Sequence, residues 1–399
     1  MSGGDIRTRH DERIHYVSRS NGRRYPVTDY RFVGDDGGLL DLEFDAAFPR
    51  ELIASRPPGM WRYREALPVP NDEAIVSFGE GFTPLLPVEV AGTSVLVKQE
   101  QLFPSGSYKD RGASVLISHA RSIGVARLVE DSSGNAGSAI AAYCARAGIA
   151  CEIYVPEDTS PGKLAQIRSY GASLRLVPGS REDTAAAVRA EAARDASVSA
   201  WYASHSYNPF FFHGTKTFAF EICEQLGWQA PVAVVLPAGN GTLLLGVAIG
   251  FTELQRAGVI GSVPAIYAVQ AGRCAPLARA YAAGLPAVTD ASGVWLADAP
   301  QPAAWSEATS AEGIAIATPV RGNQILEAVR LSGGSFITVD ESEIRDAHRA
   351  MGRCGFCIEP TSAATIAAVP RVCARLPKEA LVVTLFSGHG LKAPEKLPG

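Results

Sequence analysis

From residue 93 onward, short unbroken apolar runs alternate with longer stretches whose apolar positions recur at helical spacing. That rhythm predicts parallel strands joined by helices. A strand buried on both faces reads as a continuous apolar run, and its parallel neighbour is reached only through a crossover. The first series reads as a helix from about 110 to 123, strand 127–130, helix 135–147, strand 151–155, a helix opened by Pro161, strand 174–177, helix 182–194 and strand 199–202. Pro161 suits a first helical turn, where a missing N–H costs nothing. A second series gives helix 213–226, strand 232–236, helix 243–255 and strand 265–270. Helix 324–331, strand 336–339, helices 341–351 and 362–375, and strand 381–386 complete it. Between 272 and 317 the chain is rich in Ala, Gly and Pro and yields no clear element.

The expected fold is α/β, two doubly wound three-layer domains with a shared cleft. The small domain is expected at 107–205, and the large one at 73–106 and 206–399. Residues 1–72 are polar, rich in Arg, Asp and Gly, with only short strand-like pieces such as 38–44, and read as an N-terminal extension.

Composition narrows the function classes. With 47% apolar and 20% charged residues in 399, the chain is globular rather than disordered. Lys plus Arg total 37 against 41 Asp plus Glu, a net charge of −4, so no general attraction to nucleic acid or to an anionic membrane is expected. No apolar run reaches the roughly 18 residues of a membrane span, and the polar start at 1–13 lacks a signal-peptide core. Seven cysteines in a long chain do not form a secreted disulfide framework. A soluble, cytoplasmic protein is expected.

Three loops at strand–helix junctions carry the candidate chemistry, where open α/β sheets place their ligands. The first is Ser105-Gly106-Ser107-Tyr108-Lys109-Asp110-Arg111-Gly112. Lys109 opens a helix. It is either an ordinary solvated lysine or, if partly buried, an amine neutral often enough to attack a carbonyl. The second loop, Asp131-Ser132-Ser133-Gly134-Asn135-Ala136-Gly137, ends a strand and opens a helix. Its hydroxyls and N–H groups suit a carboxylate or phosphate, although Ser133 or Asn135 could equally be a plain helix cap. The third, Pro237-Ala238-Gly239-Asn240-Gly241-Thr242, lets a phosphate approach the backbone at a helix N-terminus, or is a simple glycine-rich turn. A dinucleotide fingerprint fails there, because Leu244 stands where the third glycine belongs.

Taken together and in this order, the loops resemble the fold-type-II family of pyridoxal-phosphate enzymes, threonine synthase and its relatives in particular. The resemblance runs over about 78–392 and includes Glu80-Gly81-Phe82-Thr83-Pro84-Leu85 and Ser387-Gly388-His389-Gly390-Leu391-Lys392. It implies pyridoxal 5′-phosphate in the cleft between the two domains, joined to Lys109 as a Schiff base, with Lys109 also the base that removes the substrate's α-proton. Asn135 would bond the cofactor's 3-hydroxyl, and Gly239, Asn240, Gly241 and Thr242 its phosphate. Ser387 would face the pyridine nitrogen. A hydroxyl there cannot keep that nitrogen protonated as a carboxylate would, which implies elimination, replacement or deamination rather than transamination. Ser132, Ser133, Asn135 and Ala136 would meet the substrate's carboxylate. The family is mostly dimeric, which implies a homodimer acting on a small amino acid.

Departures from the family pattern bear on substrate. Threonine synthases place an arginine for the substrate's phosphate two residues after an Asn-Pro pair, whereas here Phe211 follows Asn208-Pro209. Arg321, in the pocket stretch 313–323, is the expected replacement cation. Relatives often carry a zinc ribbon in the N-terminal extension. No cysteine precedes Cys144 here, so no metal site is expected. Cys354 and Cys357 form a lone C-x-x-C and read as ordinary semi-buried thiols. His205, His213 and His389 fall near the proposed cleft, and an acid–base role is open to His205 or His389. The Phe210–Phe212 run reads as core or pocket wall. A non-catalytic relative using the same cup is the competing class, but it would have no use for Lys109, Asn135 and Ser387 together.

Overall fold

The computed structural model describes residues 14–159, 161–179, 181–193, 200–301 and 308–397. The polar start at 1–13, Arg194 of the helix expected at 182–194 and Ser199 of the strand after it lie outside the described residues.

The N-terminal extension forms a small antiparallel sheet of β1 (His15–Ser18), β2 (Arg24–Pro26) and β3 (Leu40–Glu43), with β1 central. It is docked rather than loose. Tyr16 is fully buried, and its ring lies edge-on to Phe210 at 5.9 Å. Phe210 in turn stacks on His119 at 3.6 Å.

Next comes a hairpin, β4 (Leu85–Val90) and β5 (Thr93–Lys98). Its tight turn places Ala91 and Gly92 at φ 49° and 78°. β6 (Arg127–Glu130), β7 (Ala150–Pro156), β8 (Ser173–Val177) and β9 (Trp201–Tyr202) make an all-parallel sheet in the order β8-β7-β6-β9. β10 (Ala233–Pro237), β11 (Ala265–Ala271), β12 (Ser335–Val339) and β13 (Val382–Leu385) join the hairpin in a six-stranded sheet, β12-β11-β10-β13-β5-β4. Every pairing in it is parallel except β4 with β5.

All residues of β10 and β13 are buried, because helices cover both faces of the large sheet. Val234 and Leu236 face helices Thr217–Gln225 and Thr242–Arg256, while Val235 faces helix Pro360–Cys373. Each such side chain contributes about 1.5–3 kcal/mol by leaving water. Among the described residues, no helix is long and apolar enough to cross a membrane.

The helix Lys109–Ser122 lies between the sheets, crossing helix Pro209–Thr215 backbone to backbone. A methyl group on Gly214 would sit 2.1 Å from Arg111 O, and one on Gly112 would sit 2.3 Å from the Phe211 ring. A buried ion cluster fixes the helix further. Arg111 forms bidentate bonds to Glu100 and Glu221, and Lys98 bonds Glu221 at 2.8 Å, all fully buried. Burial alone would raise the Glu221 carboxyl, but Arg111 and Lys98 outweigh it and hold it at about 2. Removing either partner would leave an unpaired charge in a dry interior, which costs about 3–5 kcal/mol.

Candidate active site

Each parallel sheet has a point where the strand order reverses, between β6 and β9 in one and between β10 and β13 in the other. Loops leaving the carboxyl ends of such strands diverge and open a crevice. The crevices meet in a cavity of about 1270 Å³, lined by Lys109, Ser132, Ser133, Asn135, Ala136, Gly239, Asn240, Gly241 and Thr242.

Lys109 Nζ donates to Thr242 Oγ1 at 2.7 Å, and the Tyr108 hydroxyl is 3.0 Å from the same oxygen. The lysine's loop is pinned to the turn after β13, where Tyr108 N donates to Ser387 O at 3.1 Å. Asp110, beside it, is buried, and burial pushes its carboxyl up to about 7 although Ser105 donates to it from both N and Oγ.

The Ser132–Ala136 loop leaves β6 and opens helix Asn135–Ala147. Asn135 Nδ2 donates to Glu359 Oε2 at 2.8 Å, while Ser387 Oγ donates to Glu359 Oε1 at 2.7 Å. One carboxylate thus bridges the two residues expected at the cofactor's 3-hydroxyl and at its pyridine nitrogen. Glu359 lines the cavity, whereas Ser387 is fully buried behind it and also 3.0 Å from Ser362 Oγ.

Gly241 takes φ 73°, a left-handed conformation that glycine adopts without strain, and precedes the 15-residue helix Thr242–Arg256. Among the described residues, no protein acceptor takes the backbone N–H groups of Gly239, Asn240, Gly241 and Thr242. Four unclaimed donors at a helix N-terminus, beside a lysine amine, fit a phosphorylated aldehyde.

Phe211 and Arg321 are not brought into this cavity. Phe211 is fully buried behind the wall, its ring 5.5 Å from Lys109 Nζ. Arg321 is 1% exposed and cannot serve as the replacement cation, because all five of its N–H groups are engaged elsewhere. They reach Ser206 O, Asp41, Gln324, Leu40 O and Tyr207 O, so the arginine ties β3 to the loop after β9.

Other residues in or behind the cavity wall carry no clear mark in the sequence. Glu359 stands before Pro360 at a helix start, a position that reads as an ordinary acidic N-terminus. Glu130 closes β6 directly after the buried apolar pair Leu128 and Val129, and a charge at that place is the available signal. Its Oε1 is 2.7 Å from His205 Nδ1. Arg189 lines the cavity without an ion-pair partner among the described residues. Nothing in its helical spacing marks it.

The sequence matches the family described as "Pyridoxal-phosphate dependent enzyme" over residues 76–388. It is 33% identical to a threonine synthase of Methanocaldococcus jannaschii, covering 94% of this chain and 92% of that one. A threonine synthase of Methanosarcina acetivorans is 32% identical over 90% of this chain and 87% of its own length. Among solved structures, a threonine deaminase of T.th. superposes with a TM-score of 0.60 at 26% identity, over 77% of this chain and 92% of that one. The chain belongs to the pyridoxal-phosphate dependent enzyme family, with the type II fold. Within that family it is a lyase, and its chemistry is elimination or replacement at the β or γ carbon of an amino acid.

Proposed function

We propose that the substrate is a small, uncharged α-amino acid, and that the enzyme works in the cytoplasm as a homodimer. The observation that carries the substrate choice is the packing of Phe211 and Arg321. The first is an apolar ring behind the wall, and the second has no N–H left to offer. A doubly ionised phosphate needs a fork or point charge against it when it is desolvated.

Pyridoxal phosphate supplies an electron sink for the carbon that loses its proton. The chain's own residues do the rest. Lys109 holds the cofactor and takes the α-proton. The N–H groups of Gly239 to Thr242 hold the phosphate, and Ser132, Ser133, Asn135 and Ala136 orient the substrate's carboxylate. Asn135 and Ser387 would hold the ring once the Glu359 carboxylate that accepts from both had moved aside.

A second reading is a threonine synthase acting on O-phosphohomoserine. The threonine synthases among the relatives favour it, as does Arg189, a cation in the cavity wall with no ion-pair partner among the described residues. Phosphate release from O-phosphohomoserine, compared with oxo-acid release from serine and threonine, separates the two. We expect oxo acid from a neutral amino acid and a kcat/KM for phosphate release at least about tenfold lower. Efficient phosphate release with threonine as product, abolished in Arg189→Ala, would establish the second reading instead.

A further inference from the structure

Elimination from a neutral amino acid raises a question that a phosphate ester does not. Phosphate departs as a stable anion, but hydroxide is a poor leaving group and needs a proton as its bond to carbon breaks. A pair suited to that task stands at the cavity wall, one member lining it and the other buried behind. Glu130 closes β6 and His205 follows β9, and these strands are parallel neighbours, with Ala203 N donating to Val129 O at 2.9 Å. The register brings the two side chains together at the small sheet's reversal point. His205 Nδ1 lies 2.7 Å from Glu130 Oε1, Glu130 is fully buried, and His205 lines the cavity. The imidazole also meets the edge of Phe211 at 5.9 Å, the same ring that backs Lys109 Nζ. A carboxyl group hydrogen-bonded to Nδ1 fixes the ring's tautomer and orientation.

We propose that His205, oriented by Glu130, donates the proton to the departing β-hydroxyl of a β-hydroxy-α-amino acid. This rests on the reading of a neutral substrate given above. The α-proton goes to Lys109, and the electron pair it leaves forms the Cα–Cβ double bond. The Cβ–O bond breaks with its pair on oxygen, which takes the proton from His205 and leaves as water. Burial keeps a proton within the pair by raising the Glu130 carboxyl well above its ordinary range, an effect that neighbouring Asp131 reinforces and Lys109 opposes. Cys144 from helix Asn135–Ala147, Cys151 from β7 and Tyr202 from β9 are further titratable groups facing Glu130.

Leaving-group dependence tests this. L-serine needs the proton, whereas β-chloro-L-alanine expels chloride without one. In the holoenzyme, His205→Gln should lower kcat for serine about 100-fold or more and affect β-chloro-L-alanine far less. By NMR in D2O, exchange of serine's α-proton should persist in His205→Gln, since Lys109 is intact, while oxo-acid formation falls. Glu130→Gln should shift the basic limb of the serine pH profile and leave cofactor affinity unchanged. Equal losses on both substrates in His205→Gln would overturn the proposal. A wild-type enzyme that expels chloride but never water overturns it while leaving the elimination chemistry standing. One that does neither, yet releases phosphate from O-phosphohomoserine, overturns the neutral-substrate reading as well.

Discussion

Lys109 Nζ lies 2.7 Å from Thr242 Oγ1, although the two residues belong to different helices 133 positions apart. The contact joins the first residue of each helix, so the amine sits beside the unclaimed N–H groups of the glycine loop. A lysine there can hold an aldehyde whose phosphate is bound by the backbone next to it.

The loop's role gives the first prediction. Gly241→Ala places a methyl group on a residue at φ 73°, 2.4 Å from Ile325 Cδ1. The left-handed backbone should cost about 1–2 kcal/mol. We expect a modest fall in the melting temperature of the cofactor-free protein and at least a tenfold weaker Kd for pyridoxal phosphate, measured by absorbance titration. Unaltered affinity in a folded variant would remove this loop from the site.

Asp110 makes stability depend on pH in a direction opposite to most carboxylates. Its folded pKa of about 7 is raised above the unfolded value of 3.8, so folding retains a proton between those limits. Its contribution to stability is therefore lost as pH rises from about 4 to 7, by up to roughly 4 kcal/mol. Asp110→Asn keeps an acceptor for Ser105 and has nothing to ionise. Urea unfolding at several pH values should show a flatter dependence for the variant, with its gain over wild type largest above pH 7. A parallel pair of curves would contradict the assignment.

Arg321 is expected to act on stability, not on substrate charge. Arg321→Ala strands three backbone carbonyls, those of Leu40, Ser206 and Tyr207, and leaves Asp41 with Arg19 and Gln324 alone. The loss should be about 3–5 kcal/mol, with faster proteolysis of the N-terminal sheet. Lysine should not restore it, because a point charge cannot make five divergent bonds. Full stability with altered phosphate-ester turnover would instead put the side chain in the pocket.

The alternation of apolar runs made most of the two parallel sheets legible in the sequence, and the loop motifs located the residues around Lys109. The failures have local causes. β4 exposes half its residues and contains Pro87, so it carries no continuous apolar signal. The helix expected at 213–226 is two helices, Pro209–Thr215 and Thr217–Gln225. The first is started by Asn208, whose side chain accepts from Phe210 N, with proline in the first turn. Those start signals stand in the sequence, within the Asn-Pro pair that resembles the family motif. In 272–317, helix Pro276–Ala282 is short, and part of the rest is held by a distant side chain, Asn323 bonding Val288 N and Thr289 N. Arg321 illustrates the general limit. Its acceptors at 40, 41, 206 and 207 are more than a hundred positions away, and no local pattern reports such partners.

The most direct measurement is borohydride reduction of the cofactor-loaded protein followed by peptide mapping. The protein should be yellow before reduction, and the reduced label should sit on Lys109 alone, with Lys109→Ala taking up none. Label on another lysine, or on none, would contradict the account.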